Sequence, residues 1–280
     1  MVNAIIEIVR HAEALHNALN DNMIRDPRLT ANGIAQARAL CDSYQQRSMQ
    51  EVARVVSSPM RRAIMTAIHG FRPILAPSYS FRPTAAAITE KGKLRLLLVP
   101  ELQESSARPS DTGSPPSELF NEFGPAVLDA RRLGSDEDGW WHKDASTTFG
   151  PDPHKLVLRA NKARLIIRDI AREVVAEAQS EGEGGKLENV TKRVVVVTHS
   201  AFVRYMVLGE PELGNAEVLS CRFLNLFGDD ERDALLAPIL HNNSEEGQGP
   251  GEEGPGPRSA TPGTQLACDD DDHPLDRPFI

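Results

Sequence analysis

The chain has 280 residues, 40% of them hydrophobic and 5% aromatic, with a formal net charge of -9. That length holds one large or two ordinary domains with a sizeable core, while so few aromatic side chains offer no stacking platform for nucleic acid. From Asn242 onward nine acids face two arginines, a net of -7, so residues 1–241 carry only -2; an acidic tail likewise argues against a nucleic-acid partner.

Cys41, Cys221 and Cys268 are widely spaced without a CxxC, which indicates neither a disulfide framework nor a zinc site. The first apolar run begins within five residues of the start, leaving no room for a targeting segment. No run approaches the roughly 18 apolar residues of a membrane span. The expectation is a soluble protein, cytoplasmic or nucleocytoplasmic, that does not engage a membrane.

The run Ala4-Ile5-Ile6-Glu7-Ile8-Val9 reads as a buried strand that ends at Arg10-His11, where open α/β proteins keep their sites. A small-residue loop, Ala14 to Asn22, leads to Leu29-Thr30-Ala31-Asn32-Gly33. Thr30 is a good N-cap for a helix from Gly33 through Gln45. The unit then repeats: Val52 to Val56 is a strand, Ser57-Ser58-Pro59 a turn with Pro59 at the first helical position, and Met60 to His69 a helix. Prolines 73, 77 and 83 make Phe71 to Ala87 a surface excursion.

Leu94 to Val99 is a third strand, and Ser105 to Pro116 a Ser/Pro/Gly loop containing Asp111-Thr112-Gly113. Ser117 caps a short helix to Phe123, and Leu133 to Pro153 is loop-like, with Trp140-Trp141 plugging the edge of the core. Leu156 to Gln179 has the clearest amphipathic pattern, Leu158, Ala163, Leu165, Ile166, Ile170, Val174 and Val175 lying toward one side. A Gly/Glu loop from Ser180 to Asn189 follows. Arg193 to Val197 is a second β-branched run that ends at a histidine, Thr198-His199, and opens a helix through Leu208. Glu217 to Phe227 reads as an edge strand and Asp233 to Leu240 as a short helix. Alternating strands and helices predict an α/β fold, a three-layer α/β/α sandwich on a mostly parallel sheet over residues 1–241. The Gly/Pro/Glu composition of residues 242–280 predicts a disordered, solubilising tail.

Arg10-His11-Ala12-Glu13, Asn17, Leu29 to Gly33, Ser58-Pro59-Met60-Arg61-Arg62, Leu102-Gln103-Glu104 and Thr198-His199 together resemble the histidine phosphatase superfamily. The resemblance is to its phosphoglycerate-mutase-like branch, and spans residues 4 to 227. Glu104 followed by Asp111-Thr112-Gly113-Ser114 looks more like the fungal phosphatases of that branch than like mutases.

Five motifs in the family's order imply a phosphomonoester hydrolase with a phosphohistidine intermediate, acting on a small phosphorylated metabolite without metal or other cofactor. His11 is then the nucleophile, Glu104 the proton donor, and Arg10, Asn17, Arg62 and His199 hold the phosphate. The chemistry is coherent on its own terms. Guanidinium forks suit phosphate oxygens, and cations around His11 push its pKa down and keep it neutral. Glu104 must be protonated to serve a leaving alkoxide.

Several residues compete for these roles. Arg61 reads as a solvated neighbour of Arg62, Glu101 as the start of a turn, and Glu13 as a brace. His16 is either a surface neighbour of Asn17 or a substrate contact. Where the family has Gly, Gly-Gly and Gln, this chain has Ala12, Ser200-Ala201 and Met65, and the mutase-type Glu-Arg-X-Tyr-Gly run is missing after Glu104. Two rival readings follow: a phosphate-pocket binding protein without turnover, and a retooled pathway enzyme, mutase or other, on the same fold.

Overall fold

The structure, a computed structural model, describes residues 2–47, 49–75, 94–181 and 190–239. Most of the excursion expected after Phe71, the Gly/Glu loop before Asn189 and the whole acidic tail lie outside the described residues.

Seven strands form one sheet: β1 (Val2–Arg10), β2 (Val52–Ser57), β3 (Leu96–Leu98), β4 (Leu128–Asp129), β5 (Val190–Thr198), β6 (Val218–Phe223) and β7 (Leu236–Pro238). Their order is β4-β3-β2-β5-β1-β6-β7. The first five run parallel, and β6 pairs antiparallel with both β1 and β7. β5 therefore inserts between β1 and β2, and the carboxyl ends of these three strands come out side by side. That is where an open α/β sheet offers a crevice.

Among the described residues six α-helices cover the sheet: α1 (Leu15–Leu19), α2 (Ala31–Arg47), α3 (Arg61–Gly70), α4 (Pro116–Phe123), α5 (Pro153–Glu181) and α6 (Ser200–Met206). The two-residue period of the strands sorts the core into two layers. Val195 and Val197 of β5 join Ala37 and Leu40 of α2, Ile64 and Ala67 of α3 and Phe123 of α4. Val194 and Val196 join Ile6 and Ile8 of β1, Ala163, Ile167 and Val174 of α5 and Phe202 of α6. Val194 to Val197 are 0% exposed, and full burial of such a side chain stabilises by roughly 1.5–3 kcal/mol. The three-layer α/β/α arrangement with a mostly parallel sheet is the one the alternating pattern predicts.

The differences lie mostly at ends and edges. The segment expected as a helix from Asp233 to Leu240 is a 3-10 turn (Arg232–Ala234) followed by β7. Leu236 is fully buried against the second core layer, and that burial overrides local helical preference. As a result β6 is not an edge strand, because β7 closes that side. Pro59 precedes the α3 N-cap, Met60, instead of occupying the first helical position. Helix α4 begins at Pro116, so Ser117 is not its cap; its N–H bonds Asp136 instead. On α5, Leu158 is 54% exposed and so lies off the buried stripe. The two short elements α1 and β4 carry no sequence signal of their own. Trp140 and Trp141 are both buried in the first core layer, as core plugs.

Among the described residues no helix is long and apolar enough to cross a membrane.

Candidate active site

The strand ends assemble the site through the backbone. The N–H of His11 donates to the Thr198 carbonyl at 2.9 Å, and that of Ser58 to the Val197 carbonyl at 2.9 Å. These bonds carry the ladder one residue past β1 and β2, so His11, Ser58 and His199 sit abreast. The two imidazoles are buried, with ring centroids 5.1 Å apart and planes tilted by 57°.

The hydrogen bonds of His11 determine its tautomer. A carbonyl only accepts, so the contact between Nδ1 and the Ala12 carbonyl at 2.8 Å puts the hydrogen on Nδ1. Nε2 then keeps its lone pair and accepts from Arg62 Nε at 3.1 Å. Burial, and next the Arg62 charge, hold the His11 pKa well below the usual imidazole value. His199 is likewise pushed well down, first by burial and then by Arg62 and His11. Its Nε2 lies 2.8 Å from Ser58 Oγ, and its buried Nδ1 has no partner among the described residues.

Arg62 is completely buried on α3. Besides His11, its fork donates to the Ser110 carbonyl at 2.6 Å and to Asp111 Oδ1 at 3.1 Å. Three of its five N–H groups are thereby committed. Asp111 in turn accepts from Ser106 Oγ at 2.5 Å, and Ser114 donates to Asp26 at 2.8 Å. Gly113 has to be glycine, because a Cβ there would lie 2.2 Å from the Trp140 ring. The Asp111-Thr112-Gly113-Ser114 run is therefore a wedge between the two arginines of α3 and the tryptophan plug. Arg61 is not a solvated residue: it pairs with Asp26, Glu118 and Glu122 at 2.7–2.9 Å.

Arg10, at the end of β1, donates from Nη1 to the Leu213 carbonyl at 2.7 Å, while its buried Nε lacks a partner among the described residues. Burial lowers its pKa, opposed by the charge of Glu104. Glu104 is half-buried after the 3-10 turn Pro100–Leu102, and its Oε1 accepts from the Ser105 N–H at 2.7 Å. Burial and then the Asp111 charge raise its pKa, the direction a proton donor needs. Glu101 faces elsewhere, paired with Lys162 at 2.6 Å.

Asn17 lies on α1, with its Oδ1 accepting from the Ala14 N–H at 3.1 Å and its Nδ2 meeting His16 Nε2 at 3.1 Å. The His16 ring stands 5.9 Å from that of His11. Glu13 is the brace expected of it: it accepts from Thr30 Oγ1 at 2.6 Å and Asn32 Nδ2 at 3.1 Å.

Two site neighbours gave no sequence signal. Lys143 is buried and donates to the Glu104 carbonyl, and Arg159 of α5 donates to the same oxygen at 3.1 Å. Burial, and then Arg159, bring the Lys143 pKa down to about 7. Lys143 sits in a segment without periodicity, and Arg159 looks like any cation on an amphipathic helix. Asp111 did carry a signal, the motif around it. Of the family departures, Ala12 is fully buried in the first core layer and its N–H donates to Thr66 Oγ1 at 2.9 Å. Ser200 holds Leu213, its hydroxyl donating to that residue's carbonyl at 3.2 Å. Among the described residues no group of three His, Cys, Asp or Glu side chains is arranged to hold a metal ion.

Over residues 6–72 the sequence matches the model of the histidine phosphatase superfamily, branch 1. No curated protein sequence matches the chain. Solved structures to which it is similar include a phosphoserine phosphatase from Entamoeba histolytica in complex with 3-phosphoglyceric acid, 18% identical over 79% of this chain and 91% of that one, with a TM-score of 0.42. A mycobacterial glucosyl-3-phosphoglycerate phosphatase in complex with VO3 is 20% identical over 86% and 99% of the two chains, at a TM-score of 0.46. A phosphoglycerate mutase from Bacillus anthracis is 17% identical over 84% and 91%, at 0.45.

Proposed function

We propose that this chain belongs to the histidine phosphatase superfamily, in its phosphoglycerate-mutase-like branch and nearest the fungal phosphatase type. On this reading it is a cytoplasmic hydrolase of a small phosphomonoester, working without a metal. Residues 1–241 form the catalytic domain and residues 242–280 a solubilising tail. The observation that carries the reading is the state of the two buried rings: His11 presents an unprotonated Nε2, while beside it His199 Nδ1 and Arg10 Nε are buried polar atoms without a partner among the described residues. Buried polar atoms of that kind call for a hydrogen-bond partner; Arg10 Nε can only donate, and a phosphoryl group supplies acceptors.

In the proposed reaction Arg10, Arg62 and His199 hold the phosphoryl oxygens. The His11 Nε2 lone pair forms the N–P bond as the ester P–O bond breaks, and Glu104 gives its proton to the departing alkoxide. Water then attacks phosphorus, its proton passing to the Glu104 carboxylate. The N–P bond breaks, phosphate leaves and His11 is restored. The positive charge that a loose phosphoryl transition state needs comes from the guanidinium groups.

The test is release of phosphate from an aryl phosphate in the presence of a chelator. Wild type should turn over, and His11→Ala should be slower by several orders of magnitude. Equal rates would reject the nucleophile. The Ala12 departure does not favour the reading without turnover, since its methyl is taken up by the core.

A further inference from the structure

His16 is the residue of this neighbourhood that no motif assigns, and its hydrogen bonds determine what it can do. The Ala14 N–H can only donate, so the Asn17 oxygen must face it and the Asn17 amide nitrogen must face His16. His16 Nε2 therefore accepts, the ring hydrogen sits on Nδ1, and that Nδ1 is buried with no partner among the described residues. The ring lies beside His11 at 5.9 Å between centroids. The charges of Arg62, Asp111 and Arg10 also act on it, so it lies near the arginines.

We propose that His16 is a substrate-binding residue whose Nδ1–H donates to a phosphoryl oxygen, and that Asn17 is its positioning residue, acting on the phosphate through the His16 ring. This rests on the phosphatase reading above and extends it. The amide of Asn17 holds the ring in one tautomer, and the same side chain closes the first turn of α1. A five-residue helix has little stability of its own, so both tasks fall on the residue at its third position.

The experiment is a double-mutant cycle read by orthovanadate binding, which needs no turnover, together with the 15N signature of the His16 ring. His16→Ala and Asn17→Ala should each weaken vanadate by about tenfold or more, the cost of losing a hydrogen bond to a charged group. The double variant should be no worse than His16→Ala alone, because both changes delete the same contact. His16→Gln, which restores a donor, should recover part of the loss, and His16→Phe none. In wild type the ring should show hydrogen on Nδ1, and in Asn17→Ala that preference should disappear. Losses that sum in the double variant, or a His16→Phe protein that binds vanadate like wild type, would overturn the proposal. A wild type that binds vanadate but hydrolyses nothing leaves this cycle decisive while rejecting the hydrolase; one that does neither rejects both.

Discussion

In the proposed reaction the attacking histidine has to stay neutral while arginines gather the phosphate, and the surroundings of His11 meet the first demand. Burial and the Arg62 charge each disfavour a protonated ring at His11 and at His199. The consequence for stability has a definite sign. In the unfolded chain these rings titrate near 6.5, the ordinary imidazole value; in the fold they titrate well below it. Above pH 6.5 neither state holds the protons and the contribution is complete. As the pH falls below 6.5 the unfolded chain takes up protons that the fold refuses, so stability drops by up to about 1.4 kcal/mol per pH unit for each ring. His16, pushed down to about 4 by burial and Arg62, acts in the same direction. Glu104 acts oppositely, because a raised carboxyl pKa stabilises the fold most at low pH and less as the pH rises through its folded value. Urea unfolding at pH 7 and pH 5.5 checks the sign: wild type should lose more stability between the two than His199→Asn. A His199→Asn protein with the wild-type slope would sink this account.

Among the elements, the turn after β1 depends most on exact space. Helix α2 starts where Thr30 Oγ1 accepts the Gly33 N–H at 2.9 Å, and the Thr30 N–H donates to the Glu13 carbonyl at 3.1 Å. A Cβ on Gly33 would stand 1.9 Å from that same Glu13 oxygen. Backbone cannot yield as a flexible side-chain tip can, so Gly33→Ala should destabilise the protein by about 1–3 kcal/mol. It should also weaken phosphate binding, since the segment it displaces runs directly from His11. A urea midpoint equal to wild type would show that the α2 start can shift freely. The Gly113 wedge against Trp140 is the same device in the segment that carries Asp111, the partner of Arg62.

At the scale of the whole molecule, the site joins parts of the chain that are far apart in sequence: Arg10 and His11, Arg62, Glu104, Lys143 and His199. Arg62 and Lys143 are buried and Arg10 partly so, with Asp111 and Glu104 as the acids beside them, so an anion should stabilise the fold as a unit. Saturation with inorganic phosphate or vanadate at about 100 times Kd should add roughly 2.7 kcal/mol. Thermal melts would show this as a higher Tm, and His11→Ala with Arg62→Ala should abolish the rise. A wild-type Tm unmoved by either anion would argue against the pocket.

Read alone, the residues were enough to determine the alternation of strands and helices, since burial on both faces of β1 and β5 demands β-branched runs and one-sided burial of α2 and α5 demands a helical period. They also marked the strand-end histidines, and the family resemblance named Arg62 before Arg61 and Glu104 before Glu101 as candidates, because short motifs keep their spacing locally. Only the tertiary structure decided what those residues face. That β5 separates β1 from β2, that Leu236 makes a strand instead of a helix, and that Asp111 clamps Arg62 are all contacts between segments tens of residues apart. So is the approach of Lys143 to Glu104. Local periodicity is set by which face of an element is buried; partners across the fold are set by how the elements pack, and that information is spread over the whole chain.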